Sequence, residues 1–381
     1  MRQDLKAKVW KAIKALRARQ VEIECDRIPH TFQRVPLAKL LNWILVEMAA
    51  MTRAETPLGW PTHLQIEPTA HCNLRCLLCP VNTGLNRPPG HMDFEVFQKV
   101  VDEVGEYLFF ILLWDWGEPF LNPQIYDMIR YASERRIKLI SSTNGHLLAR
   151  YDHADRVVRS GLDTLIVAVD GITQATYERY RQGGELDEVL QGIRTLVARK
   201  RALNSHTPLI NLRFLVMRHN EHEIPKLPDL AKSLGVDALT FNTLNSHGQE
   251  TDPTKRALLE AQYQELLPRN PRYQRFRYTV AGDKRLVARN PCKRLWNNPA
   301  IHWDGTVASC FFDYGEKRKL GNVQTDTLTA IWRGAEYRKL RRAFRNGWEK
   351  LPLCGDCSNS FAGGDCSWET MSEAIFFRPQ G

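Results

Sequence analysis

Much of what would place this chain in a broad class is missing. No apolar run is long enough to cross a membrane, which takes about 20 residues. The richest stretch, Leu40 to Met51, is short and broken by Asn42 and Glu47. Low-complexity tracts, internal repeats and a disorder-type tail are also lacking, so a packed globular protein is expected. The basic N-terminus has neither the continuous apolar core nor the small-residue cleavage site of a secretory signal, and a cytoplasmic location is expected. Nine cysteines in 381 residues do not make a disulfide scaffold. Eight of them instead fall into two groups, as metal ligands do.

Charge of one sign is in excess, but unevenly. The formal net charge is +10; residues 1–20 carry +6 and residues 317–350 carry +7, leaving the remainder slightly acidic. That distribution does not describe a basic nucleic-acid-binding surface, and no aromatic-interleaved basic motif accompanies it, so no nucleic-acid partner is expected.

Residues 1–60 read as a helical extension. Leu5, Val9, Ile13 and Leu16 share one helical face, with Lys6, Lys8, Lys11, Lys14, Arg17 and Arg19 around the rest. This is either a helix docked on the protein with a solvated charged face, or a segment (residues 1–20) that touches a membrane surface. A second helix is expected over Leu37 to Met51. From 61 to about 270, strand-like runs at 63–69, 108–114, 138–143, 162–169, 209–217 and 237–243 alternate with helical stretches such as 94–106, 122–135, 186–203 and 221–233. Such alternation predicts an α/β fold of parallel strands with crossover helices. Residues 271–381 differ, with several Trp, Asp-Gly and Gly-Gly turns and five cysteines.

The most informative feature follows the first strand run: Cys72, Cys76 and Cys79. Three thiolates on one loop can hold three irons of a 4Fe–4S cube and leave the fourth open to a ligand. Zinc prefers four ligands, usually in two pairs, and His71 is poorly placed to complete a tetrahedron with its neighbour Cys72.

The run Ile66-Glu67-Pro68-Thr69-Ala70-His71-Cys72-Asn73-Leu74-Arg75-Cys76-Leu77-Leu78-Cys79-Pro80 resembles the signature of the radical S-adenosylmethionine (SAM) enzymes. The resemblance implies a partial (β/α)6 TIM-like barrel, a 4Fe–4S cluster whose open iron chelates SAM, and reductive cleavage of SAM to a 5′-deoxyadenosyl radical. It also implies an electron donor such as flavodoxin or ferredoxin. Other segments are similar to family motifs that contact SAM. Trp116-Gly117-Glu118-Pro119 resembles the Gly-Gly-Glu motif and nominates Gly117 and Glu118. Thr143-Asn144-Gly145 nominates Asn144. Val169-Asp170-Gly171 with Arg181 nominates Asp170 and Arg181, although Ala168 stands where the family often has serine. Arg213 is a further candidate for the SAM carboxylate, or else a structural ion pair, and Asn242 is a weaker one.

Cys292 and Cys310 flank an Asp304-Gly305 hairpin signal, and Cys354-x-x-Cys357 follows a basic helix. Four convergent thiolates suit a fully ligated 4Fe–4S cluster or structural zinc. The set resembles the SPASM and twitch extensions of radical SAM enzymes. That resemblance implies one auxiliary 4Fe–4S cluster in a small α+β domain. Cys366 and Cys25 remain unassigned; Cys366 is a candidate catalytic hydrogen donor or an incidental thiol. The expected function is a radical SAM oxidoreductase acting on a small molecule such as a sugar or cyclitol. Its rivals are a peptide-modifying enzyme that crosslinks or epimerises, a lipid-modifying enzyme, and a zinc-stabilised binding protein.

Overall fold

A computed structural model describes residues 2–85, 87–244, 252–274, 277–278, 284–285, 292–355, 357 and 374–377. The N-terminal extension is not helical throughout. Helix α1 (Arg2–Ala18) leads into an antiparallel hairpin, β1 (Val21–Cys25) and β2 (Ile28–Phe32), and then helix α2 (Leu37–Thr52). Alternation is the reason. Val21 and Cys25, then Ile28, His30 and Phe32, point to one buried side. The connecting Asp26 and Arg27 both take left-handed φ (54° and 69°), as a two-residue hairpin turn requires.

Six parallel strands then follow in sequential order: β3 (His63–Ile66), β4 (Phe110–Leu113), β5 (Lys138–Thr143), β6 (Thr164–Ala168), β7 (Leu209–Val216) and β8 (Ala238–Thr243). Helices α4 (Phe94–Val104), α5 (Ile125–Glu134), α6 (His153–Arg159), α8 (Leu186–Ala202) and α9 (Leu227–Leu234) lie between them. The short α3 (Pro80–Thr83) and α7 (Gln174–Glu178) sit in the loops, and α10 (Pro253–Leu266) follows β8. A ribbon of β9 (Arg277–Tyr278) and β10 (Lys284–Arg285) comes next, and then the short helix α11 (Arg294–Asn297).

The chain then returns to the sheet. Strand β11 (Ala300–Ile301) pairs parallel to β3, and β12 (Thr306–Ala308) and β13 (Lys319–Asn322) extend that edge antiparallel. Helices α12 (Leu328–Trp332) and α13 (Ala335–Gly347) follow, and β14 (Ile375–Phe376) pairs antiparallel with β8 at the opposite edge. Among the described residues the sheet therefore has ten strands, in the order β13-β12-β11-β3-β4-β5-β6-β7-β8-β14, and does not close. Its parallel part is an open, partial barrel.

The two faces of the sheet are buried by different partners. Ile111, Leu113, Leu139, Leu165, Val167, Ile210 and Leu212 pack beneath the crossover helices. The alternate residues Phe110, Leu112, Ile140 and Ile166 pack instead against Val21, Cys25, Phe32 and Leu40 of the N-terminal extension. Phe32 meets Phe109 and Phe110 edge-on at 4.9 and 5.2 Å, and His30 meets Phe110 at 5.0 Å. Each such large side chain contributes about 1.5–3 kcal/mol by leaving water. The hairpin thus fills the inner face near the N-terminal ends of the strands, which leaves the C-terminal ends for chemistry.

Candidate active site

The cysteine trio lies on the loop between β3 and α3. Backbone bonds hold this loop against the segment after α7: Arg75 N–H donates to Gln182 O (3.0 Å) and Leu77 N–H to Tyr180 O (3.1 Å). Cys72, Cys76 and Cys79 pack against a cluster that includes Tyr180, Met217 and Tyr263. Burial pushes the Cys72 thiol up to about 11 and Cys79 up to about 12, and Cys76 also upwards. Loading metal must therefore expel protons from thiols that are neutral in its absence.

Five of the nominated residues gather around this loop. Gly117 has φ +134°, and a Cβ there would lie 2.3 Å from Thr69 O, so the turn after β4 is in direct backbone contact with the cysteine loop. Glu118 N–H donates to His71 O (2.8 Å). The Glu118 carboxylate is buried and accepts from Thr143 Oγ1 (2.8 Å), Asn144 N–H (2.7 Å) and Phe120 N–H (3.3 Å). Burial outweighs these donors and raises its pKa to about 7. Asn144 Nδ2 donates to Asn73 Oδ1 (2.7 Å), inside the trio loop. Further round, Asp170 Oδ2 pairs with Arg181 Nε (2.6 Å), and Arg181 Nη1 reaches Cys76 Sγ (3.8 Å). Burial works against the Arg181 charge, but Asp170 and Cys76 outweigh it and keep the guanidinium protonated. A fixed cation beside a cysteine sulfur favours the thiolate that a metal needs.

Arg213 does not join this group. It points into the concave side from β7, where its Nη2 lies 2.6 Å from Asp26 Oδ2 at the hairpin turn and its Nε donates to Thr240 Oγ1 (3.2 Å). Asn242 uses its side-chain oxygen locally, accepting from Thr243 N–H (2.9 Å). Cys366 lies outside the described residues. Cys25 is buried in the hairpin core.

The second cysteine set does converge. Cys292, Cys310, Cys354 and Cys357 line one cavity together with Leu340, Phe344 and Trp348. Burial raises the Cys354 thiol to about 12 and holds the Cys310 thiol well above its ordinary value. Four thiols lining one space suit a fully ligated 4Fe–4S cluster. The Asp304-Gly305 turn connects β11 to β12 as its sequence predicts.

The two cysteine regions are joined through Trp116, Glu67 and Arg87. Trp116 Nε1 donates to Phe311 O (3.1 Å), next to Cys310. Buried Glu67 pairs with Arg87 (2.5 Å) and accepts from Trp303 N–H (3.2 Å). Arg87 also approaches Glu316 (3.7 Å), which accepts from His302 Nδ1 (2.9 Å). Asp115 Oδ2 has no hydrogen-bond partner among the described residues, and burial with the nearby Glu67 holds its carboxyl well above the usual range. His146, in no recognised motif, also belongs to the site: its Nε2 accepts from Glu185 N–H (2.9 Å), which leaves Nδ1–H for Asn144 Oδ1 (3.1 Å). Asn220 bridges the Asp170 and Leu215 carbonyls. Glu67 stands in the signature run and Trp116 in the Gly-Gly-Glu-like motif, but their partners Arg87, Trp303 and Phe311 lie far away in sequence.

Comparison with known proteins agrees with this geometry. The radical SAM superfamily model matches residues 66–242, and an iron–sulfur cluster-binding domain model (SPASM) matches residues 292–358. The chain is 26% identical over 325 residues to a tungsten-containing aldehyde ferredoxin oxidoreductase cofactor-modifying protein of Pyrococcus furiosus, covering 78% of this chain and 87% of that one. It is 26% identical over 318 residues to the mycofactocin maturase MftC of Mycobacterium ulcerans, covering 80% and 82%. Among solved structures, Streptococcus suis SuiB bound to S-adenosylmethionine matches with a TM-score of 0.56 at 15% identity, covering 89% of this chain and 78% of that one. The same protein bound to its precursor peptide SuiA matches with a TM-score of 0.56 at 14% identity, covering 79% and 71%. The trio, the strand-end residues around it and the thiol-lined cavity fit two 4Fe–4S clusters and SAM, and the chain belongs to the radical SAM superfamily as an enzyme with a C-terminal SPASM domain.

Proposed function

We propose that this enzyme oxidises a small polyol-type molecule, such as a sugar or cyclitol, held in the concave side of the sheet near the strand C-termini. One observation carries the reading: a four-thiol cavity is hydrogen-bonded, through Trp116 and Phe311, to the turn that carries Gly117 and Glu118. An electron acceptor placed beside the radical-generating site suits oxidation, which must remove a second electron after the hydrogen atom. The hairpin supports a small substrate, because it occupies the opposite end of the concave side. Beside the hairpin turn, the Arg213 guanidinium held by Asp26 and Thr240 suits a hydroxylated ligand.

In this reading Cys72, Cys76 and Cys79 hold the SAM-binding cluster, and Cys292, Cys310, Cys354 and Cys357 hold the auxiliary one. When bound, the first cluster and SAM supply one-electron hydrogen abstraction. Gly117 lets the backbone approach closely, Glu118 and Asn144 fix the strand-end turns, and Asp170 orients Arg181 beside Cys76. A reduced flavodoxin or ferredoxin would supply the electron. The test is anaerobic reconstitution with iron and sulfide, followed by reductant-dependent 5′-deoxyadenosine formation with and without candidate polyols. Formation stimulated by a polyol, with a matching ketone product, supports the reading. No 5′-deoxyadenosine at all would sink it.

A second reading, modification of a peptide, is favoured by the likeness to a mycofactocin maturase and to a protein crystallised with its precursor peptide. Under it, turnover would respond to a short peptide and not to polyols.

A further inference from the structure

The N-terminal extension turns one side of each helix inward and leaves the other uncovered. On α2, the inward side is Lys39, Leu40, Asn42, Val46 and Ala49. On the other side, Leu37, Leu41, Met48 and Met51 are 45–56% exposed, and Ile44 between them is half-buried. Their spacing of four, three, four and three residues makes one continuous apolar stripe along the helix. Helix α1 packs on α2 and adds Trp10 (64% exposed) and Ile13. These two sit among exposed Lys11, Lys14, Arg17 and Arg19, in a segment whose formal charge is +6.

We infer that this α1–α2 face docks on an anionic lipid bilayer. Apolar side chains with an exposed tryptophan, bordered by lysine and arginine, are what the interface of a negatively charged leaflet accepts: the stripe enters the acyl boundary and the cations meet the headgroups. A second copy of the chain fits the same face poorly. A two-fold contact would set one basic helix against another, with six Lys/Arg and a single acid, Asp4, on each. The face also lies on the extension that fills the inner side of the sheet, so docking would leave the strand C-termini clear.

The test is co-sedimentation of the full-length, iron-loaded protein with vesicles of phosphatidylcholine alone or mixed with phosphatidylglycerol. Binding should require the anionic lipid and weaken as salt is raised. Replacing Lys11 and Lys14 together by glutamine should weaken binding about 25-fold, at about fivefold per basic residue near the surface. Leu41→Ser with Met48→Ser should weaken it about tenfold or more. All four side chains are exposed, so iron content and circular dichroism should stay as in the unaltered protein. Equal binding to neutral vesicles, retention by both double variants, or a dimer in sedimentation equilibrium that the Leu41/Met48 variant abolishes would overturn the inference.

Discussion

Gly117→Ala tests how tightly the cofactor turn is built against the cysteine loop. Glycine at φ +134° occupies a region that other residues enter at a cost of about 1–3 kcal/mol. The new Cβ would also lie 2.3 Å from Thr69 O and 3.0 Å from His71 O. The first distance is roughly 1 Å short of an ordinary contact. Relief has two routes. The loop moves, carrying Cys72 with it, or the turn lifts and breaks the Glu118 N–H bond to His71 O at 2.8 Å. Losing a buried bond of that kind costs about 1–3 kcal/mol. The expected destabilisation is therefore about 4 kcal/mol. A misplacement of about 1 Å between reacting groups lowers SAM cleavage about 100-fold. Anaerobic denaturation and 5′-deoxyadenosine formation measure the two effects. Gly183→Ala is the control, since Gly183 also has positive φ (+77°) but its Cβ would meet nothing within 4 Å. It should cost about 1 kcal/mol and leave cleavage intact. If Gly117→Ala matches the control in both measurements, the packing argument is wrong.

Replacing Cys354 by alanine should lower bound iron from about eight to about four per chain, with the trio still loaded, as read by iron analysis and electron paramagnetic resonance. Loss of all iron would show that the two sites do not load independently. Arg181→Met leaves Asp170 buried without its cation and should cost about 3–5 kcal/mol in denaturant titration, while adding Asp170→Asn should restore part of that. His30 titrates near 3 in the folded protein against 6.5 when exposed, because burial disfavours its charged form. Its contribution is therefore complete above pH 6.5 and falls as the pH drops towards 3, by about 2 kcal/mol between pH 7 and 5. His30→Leu should remove that part of the slope, and an unchanged slope would place the hairpin elsewhere. Asp26→Ala should leave Arg213 without its carboxylate partner and alter substrate affinity more than SAM affinity.

The parallel strands were legible because each is a short apolar run bounded by turn residues, and the structure places them within a few residues of the expected limits. The N-terminal hairpin was not. Val21 to Phe32 does alternate, but Pro29 argues against a strand and the turn contains no glycine. The amphipathic helices on either side drew the whole segment into a helical reading. Gly117, Glu118 and Asn144 could be nominated because their motifs fall at strand ends. Their true partners could not, since Asn73 and His71 reach them across the fold. Arg213 shows the reverse problem. A strand arginine carries no mark in sequence that distinguishes a ligand contact from its observed pairing with Asp26.

The parallel pairing of β11 with β3 makes the sheet a ruler between its two cysteine regions. Ala300 and Ile301 lie opposite Gln65 and Ile66, just before the loop that carries Cys72 and just after the segment that begins at Cys292. Backbone register, and not a flexible linker, therefore sets the gap an electron would cross in the proposed oxidation. A slip of one residue would shift one side by about 3.3 Å and turn its side chains to the opposite face. The auxiliary region is for that reason a poor candidate for exchange between relatives as a cassette: any transplant would have to bring its strand, and the spacing that strand enforces, along with its cysteines.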